Sequence, residues 1–209
     1  NRVLYYPAGS TTATRVYGQG GSFTANSVGG GPGFYHPQGV AVDSGGNLYV
    51  VDSGNQRVLY YPAGSTTATR VYGQGGSLTS TTNNNGGVSA NSLSNPIQVA
   101  VDSSNNVYIA DNGNQRVLYY AAGSPTATRV YGQGGSFTST TANNGGVSAT
   151  SLASPTGVAV DSDGNLYVAD SGSNRMLYYP AGSTTATRVY GQGGSFTSTT
   201  ANTGGVSAT

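Results

Sequence analysis

One phrase of 21 residues occurs four times in this chain of 209 residues, and it constrains the fold more than any other feature. It reads NRVLYYPAGSTTATRVYGQGG at residues 1–21, and close copies begin at Gln56, Gln115 and Asn174. The arginines at its second position are 55, 59 and 59 residues apart. A repeat of this length indicates a solenoid or a propeller, because one such unit cannot bury its apolar face alone.

A second motif precedes the later three copies and completes the repeat unit. It reads GVAVDSDGNLYVADSGS in the last copy. Complete units are therefore predicted at 37–74, 96–133 and 155–192, with a half unit at 1–19. Linkers rich in Ser, Thr, Asn and Gly are predicted at 20–36, 75–95, 134–154 and 193–209. We interpret residues 1–209 as one segment of a single domain.

Each complete unit is predicted to form four strands, named a to d. In the last unit they are GVAVD, NLYVAD, RMLYY and ATRVYG, rich in residues that suit a pleated surface. The connectors DSDGN, DSGSN and PAGST carry turn residues. Strands b and c are apolar on both faces, which indicates sheets covered on both sides. The predicted fold class is all-β, a β-propeller of four-stranded antiparallel blades, of which about three and a half are present.

The pattern P-x-G-V-A-V-D-x-x-G-N-L-Y-V-x-D-S-G-N-x-R-V resembles the NHL repeat, and the whole chain resembles an NHL-type β-propeller. The pattern occurs in all three complete units, and its second half occurs in residues 1–19. Departures are Pro96-Ile97-Gln98 for Pro-x-Gly and Asn105-Asn106 for Gly-Asn. The resemblance implies a propeller fold and leaves the function open, because propellers host many functions.

Charge and composition limit the partners. The chain has eight Arg, seven Asp and a net charge of +1, with no Lys, Glu, Cys or Trp. This balance argues against a large electrostatic surface for nucleic acid. Some NHL domains bind RNA, and the sixteen Tyr could stack on bases, but they recur inside strands where packing between blades is the simpler role. We expect no nucleic acid partner and no membrane span; an RNA-binding module is kept as a second alternative.

Two sets of aspartates recur in the complete units. One set ends strand a (Asp43, Asp102 and Asp161), where it is predicted to cap the a–b turn. The other set ends strand b, and each member is predicted to pair with the arginine five residues later: Asp52 with Arg57, Asp111 with Arg116, and Asp170 with Arg175. A structural role is favoured because an active site needs one constellation and not three copies of it.

No catalytic, cofactor or metal site is predicted. His36 is the only histidine, and metal-dependent lyases and hydrolases of the six-bladed propeller group use ligand sets that nothing here matches. Such an enzyme is the first alternative function. The segment 161–165, DSDGN, resembles the start of a calcium loop, but its sister copies lack the middle carboxylate and the chain has no Glu. A hairpin turn is therefore favoured there.

The linkers are candidate binding loops. In 134–154, Phe137, Val147 and Leu152 are predicted to anchor the loop on the same side as the b–c turn. Its polar residues, among them Asn143 and Asn144, offer a neutral hydrogen-bonding surface for a protein, peptide or glycan. Tyr35 and His36 are candidates in the first linker; an inert surface loop is the other interpretation.

The half unit predicts an incomplete array. Residues 1–19 supply strands c and d only, so we expect the partner to be more of the same repeat, as a continuation of the chain, a second copy or a filament. Residues 60–77 and 178–195 are identical, which favours a repeated surface over a single-site enzyme. We expect a non-enzymatic scaffold for protein, peptide or glycan binding or self-assembly. The nearly uncharged surface indicates a secreted or cell-surface protein.

Overall fold

The computed structural model describes residues 1–25 and 33–202, which form strands joined by turns and short 3-10 segments. None of these residues forms a helix long and apolar enough to cross a membrane. The strands are β1 (Val3–Tyr5), β2 (Arg15–Tyr17), β3 (Pro37–Val42), β4 (Leu48–Asp52), β5 (Arg57–Tyr61), β6 (Arg70–Tyr72), β7 (Pro96–Val101), β8 (Val107–Asp111), β9 (Arg116–Tyr120), β10 (Arg129–Tyr131), β11 (Pro155–Val160), β12 (Leu166–Asp170), β13 (Arg175–Tyr179) and β14 (Arg188–Tyr190).

The strands form three antiparallel sheets of four strands and one sheet of two. We call β1–β2 the half-blade, β3–β6 the first blade, β7–β10 the second blade and β11–β14 the third blade. Within each blade the strands follow one another in the order a, b, c and d. The predicted fold class is confirmed: these are the four-stranded antiparallel blades of a propeller. The linkers at 20–36 and 193–209 lie partly outside the described residues, and the single-segment interpretation stays a prediction.

The register of strands b and c positions the recurring acidic and basic residues. Asp111 is paired with Arg116 at the end of the β8–β9 ladder, and the corresponding pair ends the ladder in the other two blades. A 3-10 turn at Asn112–Asn114 joins the strands, and Gln115 follows it in the left-handed region, with φ of 57°. The turn therefore returns the chain so that the arginine lies directly opposite the aspartate.

The hydrophobic core lies between neighbouring blades. One face of the first blade packs on the opposite face of the second, and the second packs on the third in the same way. A tyrosine of strand d meets the last tyrosine of strand c in the next blade at every junction. The ring centroids are 5.1 Å apart for Tyr17 and Tyr61, 5.0 Å for Tyr72 and Tyr120, and 5.1 Å for Tyr131 and Tyr179. These edge-to-face contacts add to the burial of apolar area.

The three linkers that lead into complete blades each carry a fully buried apolar side chain. Leu93 and Leu152 fill this position before the second and third blades, and Phe34 fills it in the shorter first linker. Gly132, which follows β10 and contacts Leu152, must be glycine because its φ is +84° and a Cβ would lie 3.0 Å from Leu152 Cδ1. Leu93 and Leu152 therefore fix linkers 75–95 and 134–154 against the body of the blades.

Apolar positions are exposed towards both ends of the array although their counterparts are buried between complete blades. Val40 of β3 is 53% exposed, whereas its counterparts Val99 and Val158 are 2% and 4% exposed. At the other end, Met176 and Tyr190 of the third blade are 42% and 45% exposed. The array thus presents apolar surface towards each end, of the kind that is covered at the two junctions between complete blades.

Candidate functional site

The most conspicuous polar site of each complete blade is a buried ion pair at the b–c turn. In the second blade, Arg116 donates from Nε to Asp111 Oδ2 at 2.7 Å, and both side chains are fully buried. The first and third blades repeat the pair at 2.8 and 2.7 Å. The structure therefore brings together all three aspartate–arginine pairs expected from the sequence: Asp52 with Arg57, Asp111 with Arg116, and Asp170 with Arg175.

Both carboxylate oxygens of Asp111 accept hydrogen bonds. Its Oδ1 accepts from the backbone N–H of Ser94 at 2.7 Å, and its Oδ2 also accepts from Asn114 Nδ2 at 2.8 Å. Burial raises the pKa of the Asp111 carboxyl above its ordinary value, while Arg116 and the hydrogen bonds act in the opposite direction. A carboxylate held in this way organises the turn and the linker and is not accessible for general acid–base chemistry.

The arginine of the pair joins two linkers. Arg116 Nη2 donates to the carbonyl oxygens of Ser89 at 2.9 Å and Ser92 at 3.0 Å, in the linker that leads into its blade. Its Nη1 donates to the carbonyl of Phe137, in the linker that leaves the blade. Arg175 repeats this arrangement in the third blade. We call this arrangement the arginine clamp, because one guanidinium holds the blade and both of its linkers together.

The aspartates that end strand a cap the a–b turn, as the sequence indicated. Asp102 Oδ1 accepts from the backbone N–H groups of Ser104 and Asn106, both at 2.9 Å. In the third blade the same bonds are made by Asp161, and the hydrogen bond from the Asn165 side chain is the largest of the effects that lower its pKa. These contacts are those of a hairpin turn. The described ranges, 1–25 and 33–202, contain no group of three or more His, Cys, Asp or Glu residues that could hold a metal ion.

Four further arginines stack on tyrosines, a role that sequence reasoning missed. In the second blade the guanidinium carbon of Arg129 lies 4.4 Å from the centroid of the Tyr119 ring. The other three pairs, at 4.6 to 4.7 Å, are Arg15 over Tyr5, Arg70 over Tyr60, and Arg188 over Tyr178. The sequence does contain a signal for this stacking, because each arginine follows its tyrosine by ten residues in all four copies of the phrase. Seven of the eight arginines thus have one of two repeated structural roles.

The candidate loop residues of the linker 134–154 contact the body of the protein. Asn143 Nδ2 donates to Ser173 Oγ at 3.2 Å, which places the linker beside the b–c turn of the third blade. Asn144 Nδ2 donates to the carbonyl of Gln133 at 3.1 Å, and Phe137 is half-buried against the core. These three side chains therefore hold the loop in place, and the hydroxyls between them form its outer surface.

Tyr35 and His36 present the one aromatic pair among the candidate loop residues. Both are exposed, with ring centroids 4.5 Å apart. Their backbone N–H groups are fixed, because Tyr35 donates to Asp52 Oδ1 at 2.7 Å and His36 donates to Asn1 Oδ1 at 3.0 Å. The structure thus holds the backbone in the same way as in the other linkers and directs two aromatic side chains outwards.

A family model described as NHL repeat matches residues 34–61, 93–120 and 152–179. Each match runs from the buried linker residue through strands a and b to the end of strand c, so it contains the whole aspartate–arginine pair. A search of the curated proteins found no match.

Solved structures similar to this chain include three from bacteria. A hydrazine synthase of Kuenenia stuttgartiensis has a TM-score of 0.53 and 14% identity, over 81% of this chain and 39% of that one. A protein of unknown function from Bacteroides caccae has a TM-score of 0.49 and 11% identity, over 86% and 54%. A virginiamycin B lyase from Staphylococcus aureus has a TM-score of 0.40 and 11% identity, over 68% and 37%. This chain therefore spans between about a third and a half of their lengths, and at these identities the likeness extends to the fold alone.

Proposed function

Because this chain belongs to the NHL-repeat propellers, we propose that it is a non-enzymatic scaffold that binds further blades of its own repeat. The observation that carries the proposal is the exposure of apolar end faces at positions that the junctions between complete blades bury. Tyr190 is 45% exposed, whereas its counterparts Tyr72 and Tyr131 are 0% and 2% exposed. Contiguous exposed apolar surface of this kind is typical of an interaction site.

The role of the carboxylates supports a scaffold over an enzyme. Six of the seven aspartates accept hydrogen bonds that recur from blade to blade, and Asp163 is exposed at the tip of a turn. An enzyme needs a group set apart for its chemistry, with partners that differ from those of its repeats. The lyase and synthase named among the solved structures share the fold and lend no activity to this chain.

The internal junctions supply a template for the contact between two copies. Tyr6 occupies the position of Tyr61, Tyr120 and Tyr179 in its repeat, and it is 49% exposed. Tyr190 of one copy can therefore meet Tyr6 of another in the way that Tyr131 meets Tyr179. Such a contact joins two different surfaces, so it produces head-to-tail association.

The repeated linkers provide a second surface in this proposal. Their outer hydroxyl and amide groups form a neutral surface suited to a protein or glycan ligand, presented once per blade. A secreted or cell-surface location fits a surface that is rich in Ser, Thr, Asn and Gly and carries few charges. We propose no metal or other cofactor and no nucleic acid partner.

Light scattering across a wide range of concentration tests the proposal. The average mass of the wild-type protein is expected to rise above that of one copy as its concentration increases. The variant Met176→Arg/Tyr190→Arg is expected to stay at the mass of one copy, because two charges replace the apolar contact. Thr184→Arg, at an exposed position of the same blade, is the matched control and should associate like wild type. A wild-type chain that keeps the mass of one copy throughout would overturn the proposal.

A further inference from the structure

A cavity of about 240 Å³ lies between the c–d turn of the first blade and the linker that leaves this blade. Most of its wall is apolar and comes from Leu59, Ala68, Leu78 and the Tyr61 ring. Exposed threonines of the turn and the linker complete the lining, and none of the described lining residues is charged. The cavity therefore suits an uncharged molecule with an apolar part and a hydrogen-bonding group.

The corresponding position is filled in the second and third blades. Ala127 and Ala186 are the counterparts of Ala68, and each is 4% exposed. The Ala127 N–H donates to the Ala90 carbonyl at 3.2 Å, and Ala186 makes the same bond to Ala149 at 3.0 Å. In both blades a phenylalanine of the outgoing linker is half-buried against the same core. A phenyl ring and a methyl group thus occupy this position inside the protein.

The sequence of the first blade lacks both of these groups. Leu78 stands where the other three copies of the repeat have phenylalanine, and it is 41% exposed. Counted back from Phe34, the first linker reads Gly-Gly-Gly at 29–31. The later linkers read Val-Ser-Ala at the same distance from their buried leucines. Two separate changes of sequence therefore remove side-chain volume at the position where the cavity lies.

The wall of the cavity is held in place from two sides. Arg57, a clamp arginine, donates from Nη1 to the carbonyl of Leu78. In the c–d turn, Ser65 Oγ donates to the Thr67 carbonyl at 3.1 Å and accepts from the Thr67 N–H at 3.0 Å. These bonds fix the backbone of two lining residues, so little conformational entropy is lost when a ligand binds.

We propose that this cavity binds a neutral molecule of the size of one substituted aromatic ring. The ring packs on Leu59, Ala68 and Leu78, and a hydroxyl group of the ligand bonds to the threonines. Cavities of about 150 Å³ bind benzene in other proteins, so 240 Å³ leaves room for a substituent. The inference goes beyond the proposed function and does not rest on it, because the site lies within one copy of the chain.

Titration with p-cresol, a methylphenol, tests the proposal in protein that carries ¹³C in its Leu and Ala methyl groups. The methyl signals of Leu59, Ala68 and Leu78 are expected to shift and to reach saturation. The dissociation constant should be on the order of 1 mM, as suits a ligand of this size. The signals of Leu118 and Ala127, at the filled position of the second blade, should stay in place.

A swap between copies of the repeat separates binding in the cavity from binding elsewhere. Leu78→Phe restores the residue of the other copies and should fill the cavity. We expect it to weaken p-cresol binding roughly tenfold or more and to raise Tm by about 2–4 °C without ligand. Phe137→Leu is the matched control in the second blade. It should lower Tm and leave the shifts of the Leu78 methyl signals unchanged.

A second variant tests the role of the hydroxyl groups. Thr66→Val/Thr67→Val keeps the shape of both side chains and removes their hydroxyls, while the bonds of the Thr67 backbone to Ser65 remain. Binding of p-cresol should weaken roughly fivefold, which corresponds to one lost hydrogen bond. Binding of toluene, which has no hydroxyl, should be unchanged.

Unshifted Leu78 methyl signals at the highest soluble concentration of p-cresol would overturn the proposal, because the chain itself would then fill the cavity. Equal shifts at Leu59 and Leu118 would also overturn it, since p-cresol would then bind the blades without selection. Undiminished binding by Leu78→Phe would have the same consequence. These outcomes do not depend on whether copies of the chain associate, which light scattering reports separately.

Discussion

Arg116 donates to Asp111 at 2.7 Å inside the second blade, and water reaches neither side chain. Burial makes such a pair costly to form, since both ions lose their hydration. Hydrogen bonds from Ser94 and Asn114 to the carboxylate, and from the guanidinium to the carbonyls of Ser89 and Ser92, offset that cost. The pair therefore acts as a junction between strands and linkers, and its effect on stability should appear when one partner is removed.

Arg116→Gln is predicted to lower the free energy of unfolding by about 3–5 kcal/mol, because Asp111 is then left buried without its counter-ion. The matched control is Arg129→Gln in the same blade, which removes a stack on Tyr119 and should cost about 1 kcal/mol. Urea unfolding followed by circular dichroism measures both values. Equal losses in the two variants would contradict the distinction between the two classes of arginine.

The fold and the ion pairs could be predicted from the sequence because both are properties of the repeat. The length of the repeat predicts a four-stranded blade. The five-residue spacing of Asp111 and Arg116 spans a tight turn, so the two residues face each other on neighbouring strands. The burial of the pair could not be predicted, because it depends on linker carbonyls such as that of Ser92, which reach Arg116 only in three dimensions.

Gly113 in the b–c turn is predicted to be intolerant of alanine. A Cβ there would lie 2.8 Å from the Ser94 carbonyl oxygen, to which the Gly113 N–H donates at 2.9 Å. Gly113→Ala should therefore cost more than Gly123→Ala, where φ is +79° and nothing lies within 4 Å of the added Cβ. The control should lose only about 1–2 kcal/mol of stability, which is the cost of placing an alanine in the left-handed backbone region. Thermal unfolding compares the stability of the two variants. Equal losses of stability would contradict the prediction, because the linker backbone at Ser94 would then have moved to make room for the added Cβ.

Val40 and Val99 occupy the same position of the repeat and are predicted to respond differently to truncation. Val99→Ala leaves a cavity between the first and second blades and should cost about 2 kcal/mol. Val40→Ala removes an exposed side chain and should cost less than about 0.5 kcal/mol. Chemical denaturation of dilute protein gives both numbers. A large loss for Val40→Ala in dilute protein would show that its face is already covered.

The exposure of Val40 and Val42 also marks a limit of sequence reasoning. Both residues belong to strand a of a blade whose strands b and c predict a sheet covered on both sides, and Val99 at the position of Val40 is buried. Burial at Val40 depends on strands a and b of a neighbouring blade, and the half-blade has only c and d. A periodic pattern indicates which residues suit an interface and does not indicate which interfaces are formed.

Alkaline pH is predicted to unfold the protein cooperatively. Burial raises the pKa of the phenols of Tyr61, Tyr120 and Tyr179 well above the ordinary value of about 10. A folded-state pKa above the unfolded one means that the stabilisation is complete below a pH of about 10 and is lost as the pH rises beyond it. Phenolate absorbance and circular dichroism should change together above that pH. Complete ionisation with the circular dichroism unchanged would contradict the burial of these rings.

Cross-linking between the two ends tests the central claim most directly, since the chain has no cysteine of its own. Tyr6→Cys and Tyr190→Cys are prepared as separate single variants, mixed and treated with a short bis-maleimide. The account predicts that the dominant product joins position 6 of one copy to position 190 of another, because head-to-tail contact brings two different faces together. Products that join like positions, or a yield no greater than that of a Thr184→Cys control, would contradict it.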